Sequence, residues 1–209
     1  MADSRVHIYF FRHGETDYNR RGIVQGGGVD SDLNDLGRQQ AEAFFKTYAH
    51  LTFDAVYASK LKRTQQTLGP WVDSGYSFET HAGLNELSWG VHEGVVPTPE
   101  QRKEFLGILS KWSEGQLDLR VPEGESPIEA WDRAKSFFEE IAEKHAGQRI
   151  LVCSHGRQLR VILSSLLGTE MREMERYKHD NTALSIVKFG GDGPATLELL
   201  NDTSHLNFN

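Results

Sequence analysis

Cysteine is almost missing from this chain: Cys153 is the sole one among 209 residues. No intrachain disulfide can form, and a thiol inside the apolar run Ile150 to Cys153 is expected to be buried and inert. A reducing, cytoplasmic setting fits that usage. Long apolar runs are lacking as well. None approaches the ~20 residues needed to cross a bilayer, and no charged stretch followed by an apolar core opens the chain, so a soluble, unprocessed protein is expected. Positive charge is in deficit: 23 Lys and Arg against 30 Asp and Glu give a formal net charge of −7. Nucleic-acid and membrane-surface binders favour basic faces, so neither kind of partner is expected. Repeats, low-complexity tracts and linkers are absent. With 38% apolar residues the chain can bury roughly 70% of its unfolded surface, which points to one domain over residues 1–209.

Apolar runs alternate with helical patterns, the sequence form of βαβ units and a largely parallel sheet. Val6 to Phe11 reads as a strand buried on both faces. Asn34 is placed to cap a helix from about Asp35 to His50, with Leu36, Gln40, Ala43, Phe44 and Tyr48 on one face. Asp54 to Ala58 is a second strand, and Leu61 to Asp73 is a helix that Gly69-Pro70 should interrupt. Ser126-Pro127-Ile128-Glu129 is a helix start with a hydroxyl cap, proline at the first position and a glutamate at the third. Ile128, Trp131, Ala134, Phe138 and Ile141 should form its core stripe. Ile150 to Cys153 and Arg157 to Leu167 follow as strand and helix. Leu184 to Phe189 and Ala195 to Leu200, joined by Gly190-Gly191-Asp192-Gly193, read as a closing pair of strands. From Leu87 to Glu125 the pattern loosens around Pro97, Pro99 and Pro122, with a short amphipathic segment from Glu100 to Trp112. A stretch of that length is expected to cap a site.

Two His-Gly pairs stand at strand exits, Arg12-His13-Gly14-Glu15-Thr16 and His155-Gly156, where α/β proteins gather their chemistry. An imidazole nitrogen attacking a phosphate ester needs positive charge around the non-bridging oxygens of a dianion. Arg12 adjoins His13, and Arg63 follows the second strand; guanidiniums bind phosphate bidentately and stay charged. His155 can donate to a phosphate oxygen, with the Gly156 amide and the next helix N-terminus adding donors. A lone strand-end histidine is more often structural, but the matched set reverses that reading for His13. Lys60, Lys62, Arg102 and Lys103 read as solvated faces. Gly26-Gly27-Gly28 lacks the lysine and helix of a P-loop and reads as a flexible turn. His7, His50, His81, His145, His179 and His205 present no metal-ligand spacing, so no metal is expected.

Phe11 to Thr16, Tyr18-Asn19, Gln25-Gly26, Leu33-Asn34-Asp35-Leu36-Gly37, Arg63-Thr64-Gln65-Gln66-Thr67, Gly124-Glu125-Ser126, Ser154-His155-Gly156, Asn181-Thr182 and His205-Leu206 together resemble the histidine phosphatase superfamily, the phosphoglycerate-mutase-like proteins. The resemblance implies an α/β fold, a three-layer α/β/α sandwich with a mostly parallel sheet. It implies a phosphohistidine on His13, phosphate binding by Arg12, Arg63 and His155 assisted by Asn19 and Gln25, and Glu86 as proton donor. A departing alkoxide needs such a proton, and burial beside Trp89 or nearby phosphate charge would favour the protonated carboxyl. Glu93 competes for the role. His13 must attack through an unprotonated nitrogen while its other nitrogen donates, the natural acceptor being a backbone carbonyl.

Relatives are phosphatases or mutases. Cofactor-dependent mutases resemble one another in placing an arginine after the acidic residue, where Leu87 stands, and a lysine where Pro97 stands; no adjacent arginine pair follows here. Asp32 is the mutase-like exception. The expected enzyme is a histidine acid phosphatase-type phosphomonoesterase acting on a small phosphorylated metabolite. Its alternatives are a phosphoglycerate mutase, a phosphoprotein phosphatase and a non-catalytic phospho-ligand module. No cofactor is expected, save 2,3-bisphosphoglycerate in the mutase case, and oligomeric state stays open.

Overall fold

The computed structural model describes residues 4–191 and 194–207. In chain order the elements are β1 (Val6–Arg12), α1 (Asp17–Arg20), α2 (Asp35–Tyr48), β2 (Ala55–Ala58), α3 (Lys62–Thr67), α4 (Gly69–Asp73), β3 (Glu79–Thr80), α5 (Pro99–Ser113), α6 (Pro127–Lys144), β4 (Arg149–Ser154), α7 (Gly156–Leu166), β5 (Leu184–Phe189) and β6 (Thr196–Asp202). They build a mixed α/β fold around a six-stranded sheet in the order β3-β2-β4-β1-β5-β6. β3, β2, β4 and β1 run parallel, and β5 and β6 add antiparallel pairings. The ends of β2, β4 and β1 therefore open side by side at one edge, each followed by a loop or helix start.

Alternation along buried strands explains the continuous apolar runs. Ile8, Phe10, Ile150 and Val152 pack on one face against Phe138 and Ile141 of α6 and Ile162 and Leu163 of α7. Phe11, Leu151 and Cys153 pack on the other against Phe44 of α2 and Trp71 of α4, with the Phe11 and Phe44 rings stacked at 4.3 Å. Burial pushes the Cys153 thiol well above its ordinary range. A third cluster holds segment 87–125 in place: Leu87, Trp89, Trp112 and Val121 join Ala130, Val161 and Met174.

Caps explain where helices begin. Asn34 accepts from the Gly37 amide at 2.8 Å, and Ser126 with Glu129 forms a reciprocal capping box. The interrupted helix appears as α3 and α4, with Pro70 in the first turn of the second. Leu36 and Ile128 depart from expectation, at 39% and 43% exposure. Each is the second residue of its helix, and Cβ bonds tilt toward the N-terminus, which carries first-turn side chains past the layer. Phe137 is buried in α6 beside the expected stripe. The cap helix α5 extends a residue beyond the expected segment at each end, and the last strand runs to Asp202. Within the expected closing turn, Asp192 and Gly193 lie outside the described residues.

The loop after β1 is fixed by close approach. A Cβ on Gly14 would stand 2.4 Å from the Gly37 carbonyl oxygen, and one on Gly37 would stand 2.1 Å from that of Glu15. The two glycines thus let the loop lie directly on the first turn of α2. Glu15 N–H donates to Gln40, Asn34 N–H to the Glu15 carbonyl, and Gly14 N–H to Thr67 Oγ1. Gly37→Ala forces this loop outward. It should lower stability by about 1–3 kcal/mol, the usual cost of overpacking, as read by urea unfolding. A change within about 0.5 kcal/mol, the range of an ordinary surface substitution, would show the contact to be dispensable.

Candidate active site

β1 ends by delivering Arg12 and then His13, whose backbone N–H still bonds the Ser154 carbonyl across the sheet. His13 is 3% exposed, and its Nδ1 lies 2.7 Å from the Gly14 carbonyl oxygen. A carbonyl can only accept, so Nδ1 carries the proton and Nε2 keeps its lone pair. That is the tautomer an attacking imidazole requires. Asn181 Nδ2 donates to the His13 carbonyl, and Thr182 N–H donates to that of Arg12. Thr182 does this at φ 55°, a left-handed backbone that a β-branched residue rarely adopts.

Behind His13 lies His155, its ring centre 5.1 Å away and fully buried. Its hydrogen bonds settle into one direction. Arg63 Nε donates to His155 Nδ1 at 3.2 Å, so Nε2 holds the proton and donates to Ser59 Oγ at 2.7 Å. Ser59 Oγ then donates to Thr64 Oγ1, which donates to the Leu61 carbonyl. The remaining Arg63 nitrogens bond the carbonyls of Val29 and Gly26. Burial pulls Arg63 down to about 10, which leaves it charged at neutral pH.

One cavity of about 200 Å³ gathers Arg12, His13, Asn19, Gln25, Glu86 and Gly156 on its wall. Arg63 and His155 are brought next to His13 but sit beneath the wall rather than on it. Gly156 packs closely on Arg12: a Cβ there would be 3.3 Å from Arg12 Nε. Arg12 donates to the His179 carbonyl at 3.0 Å, while its Nε is buried without a partner. Asn19 accepts through Oδ1 from Thr16, and Gln25 donates to Thr16 Oγ1, so both amides are held by the loop after β1.

Glu86 is 8% exposed. Its carboxylate accepts from the backbone of Leu87, Arg157 and Gln158, the last two belonging to the first turn of α7. Helix N-termini favour negative charge in that position. Arg133 braces the loop that carries it, donating to Glu125 and to the carbonyls of Ala82 and Asn85, while Glu125 accepts from Ser88 N–H. Glu93, the competing carboxylate, is off the cavity wall. It bonds the amides of Gly28 and Trp89 and the Ser88 hydroxyl, and a Cβ on Gly26 would fall 1.9 Å from its Oε1. Gly26-Gly27-Gly28 therefore serves close approach rather than phosphate cradling.

Trp89, Phe105, Ile23, Val24, His179, Arg157 and Arg160 also line the cavity. The arginines escaped sequence reasoning, although their signal was available: they stand one and four residues after Gly156, on the face of a helix that begins at the site. Among the described residues, no group of three or more His, Cys, Asp and Glu is arranged to hold a metal, and no helix is long and apolar enough to cross a membrane.

Burial, reinforced by Arg63, pushes both His13 and His155 well below their ordinary 6.5, and burial pulls His179 to about 4. The folded state then binds fewer protons than the unfolded chain below about pH 6.5. Stability is whole above that value and is lost as pH falls toward the folded values. Each such imidazole should contribute a slope of up to about 1.4 kcal/mol per pH unit within this window. The urea midpoint is expected to drop between about pH 7.5 and about pH 5, and His179→Gln should flatten the drop. A flat wild-type profile would contradict neutral burial.

Comparison with known proteins gives the family and the fold. A family model described as histidine phosphatase superfamily (branch 1) matches residues 8–203. A curated relative, "Probable phosphoglycerate mutase GpmB" of Yersinia pestis, is 32% identical over 96% of this chain and 95% of its own length. The solved alpha-ribazole phosphatase from Shigella flexneri is 26% identical with a TM-score of 0.80, covering 94% of this chain and 96% of that one. The mycobacterial glucosyl-3-phosphoglycerate phosphatase, at 20% identity and TM-score 0.81 over 94% and 99% of the two chains, shares the fold. A family match running almost end to end, with a full-length relative at that identity, makes this chain a member of the histidine phosphatase superfamily, branch 1.

Proposed function

We propose that this protein is a phosphomonoesterase that hydrolyses a small phosphorylated metabolite through a phosphohistidine on His13. The observation that carries the reading is the His13 tautomer, with a free Nε2 lone pair in a cavity that Arg12 and Glu86 also line. Nε2 attacks phosphorus as the ester P–O bond breaks, and Glu86 gives its proton to the leaving oxygen. Water then attacks phosphorus, returns a proton to Glu86, and the N–P bond breaks to release inorganic phosphate. Arg12 stabilises the equatorial oxygens, Arg63 supplies charge from beneath His13, and neutral His155, both nitrogens taken by Arg63 and Ser59, orients that charge rather than donating to phosphate. The backbone N–H groups of Leu87, Arg157 and Gln158 hold the Glu86 carboxyl in position for that proton transfer. Asn19, Gln25 and the Gly156 amide complete the donors around the phosphoryl group, and no metal or resident cofactor takes part.

Hydrolysis is favoured over phosphoryl return to a second hydroxyl by what surrounds Glu86. Leu87 is wholly buried in the third core cluster, and the cap gives the cavity only Trp89 and Phe105, with no cation. Asp32, the mutase-like residue, is tied to Gln66 Nε2 at 2.7 Å outside the cavity. The mutase reading draws support from the names of the curated relatives and from the additional guanidiniums of Arg157 and Arg160.

His13→Ala should abolish acid-labile phosphoenzyme and cut turnover by on the order of a thousandfold or more. Substantial residual activity would refute nucleophilic catalysis. Arg63→Gln should cost on the order of a hundredfold in kcat. Product analysis separates the branches: free phosphate should outpace isomerised 3-phosphoglycerate with and without 2,3-bisphosphoglycerate, and chelator should change neither rate. Faster isomerisation would reverse the choice.

A further inference from the structure

Two guanidiniums that this chemistry does not use share the cavity with Arg12. Arg157 and Arg160 project from the first turns of α7, with side chains 10% and 17% exposed. Arg157 has aromatic neighbours, its guanidinium 5.8 Å from the ring centre of Trp89 and 5.9 Å from that of Trp112. Arg160 Nε is buried without a partner. One carboxylate spans the pair: Glu175 takes an N–H from Arg157 on one oxygen and from Arg160 on the other. Two cations thus share one ion-pair partner, and the cavity wall carries three guanidiniums, Arg12, Arg157 and Arg160, against the single carboxylate of Glu86. Burying unmatched guanidiniums is costly, so their persistence beside a reactive site calls for an anionic visitor.

Their position says which part of a substrate they would meet. Glu86, the group proposed to protonate the leaving oxygen, accepts from the Arg157 backbone N–H at 3.2 Å. The first turn of α7 therefore adjoins the leaving group. Glu175 demonstrates the spacing, because a planar carboxylate already bridges the two guanidiniums. It is also 46% exposed and sits on the segment after α7, so it can yield that place.

We propose that Arg157 and Arg160 form an anion subsite for a carboxylate on the leaving group, with Glu175 as the internal carboxylate it displaces. The preferred substrate class is then a compact phosphomonoester that carries a carboxylate, a specificity that rests on the phosphomonoesterase reading above. Arg157 and Arg160 determine specificity, and the reacting atoms remain with His13 and Glu86.

The test uses matched pairs: 3-phosphoglycerate against glycerol 3-phosphate, and O-phosphoserine against O-phosphoethanolamine, each pair differing in the carboxylate. Wild-type kcat/KM should favour the acid by on the order of tenfold or more in both pairs, since a site built to bond a group penalises its absence. Arg157→Gln and Arg160→Gln should each drive that ratio toward one, Arg157→Lys should retain part of it, and Glu175→Gln should raise it. Circular dichroism and melting separate loss of fold from loss of selectivity. Binding is read independently by calorimetry in the His13→Ala protein, where the acid of each pair should bind on the order of tenfold tighter. Equal affinities there overturn the subsite whatever the turnover. A retained binding preference without hydrolysis of any ester overturns the phosphatase reading and leaves the subsite standing. Fructose 1,6-bisphosphate against fructose 6-phosphate forms a further arm. A preference for the bisphosphate without one for the acids would transfer the subsite from carboxylate to phosphate and overturn the assignment.

Discussion

The hydrogen bond from His13 Nδ1 to the carbonyl of Gly14 chooses which ring nitrogen reacts, and much of the surrounding structure exists to keep that choice fixed. The acceptor is the next residue's own backbone, so the ring can stay oriented only if the loop cannot pivot. That loop is pinned on one side by the Gly14 and Gly37 contact and on the other by Asn181 and Thr182, which hold the carbonyls of His13 and Arg12. The strained backbone of Thr182 belongs to the same restraint: its N–H reaches the Arg12 carbonyl from that conformation, and its hydroxyl lies 3.1 Å from His205 Nε2. Distant C-terminal residues thereby set the geometry of an N-terminal imidazole.

Beneath it, the run from Arg63 through His155, Ser59 and Thr64 to Leu61 has a single consistent direction of donation. A buried polar network of this kind is rigid because every member has its partner. It presents a positive charge to His13 from a group whose orientation is already satisfied, so little reorganisation is needed when negative charge arrives. Arg12 contrasts with this. Its Nε is without a partner, whereas every Arg63 nitrogen already has an acceptor.

Much of this was readable in the residues. β1 and β4 announce themselves as unbroken apolar runs because both of their faces are covered, and α2 and α6 announce themselves through Asn34 and Ser126. The gathering of His13, Arg12, Glu86 and Gly156 follows from parallel strands ending together. Other features depend on what is nearby in space, which spacing along the chain does not encode. Arg63 and Arg160 have the composition of solvated surface and are buried only because loops and the segment after α7 fold over them. Gly26-Gly27-Gly28 resembles a generic turn until the Glu93 carboxylate is seen pressed against it. Leu36 and Ile128 carry the right periodicity but stand at helix ends, where the layer beneath them has run out.

That Glu93 contact ties two stretches of chain to a single anchor. Its carboxylate fastens the glycine run, whose carbonyl at Gly26 screens Arg63, and equally the amide of Trp89, three residues beyond Glu86. Removing the Glu93 carboxylate would take the anchor from both stretches together, the one that covers the buried guanidinium and the one that carries the acid.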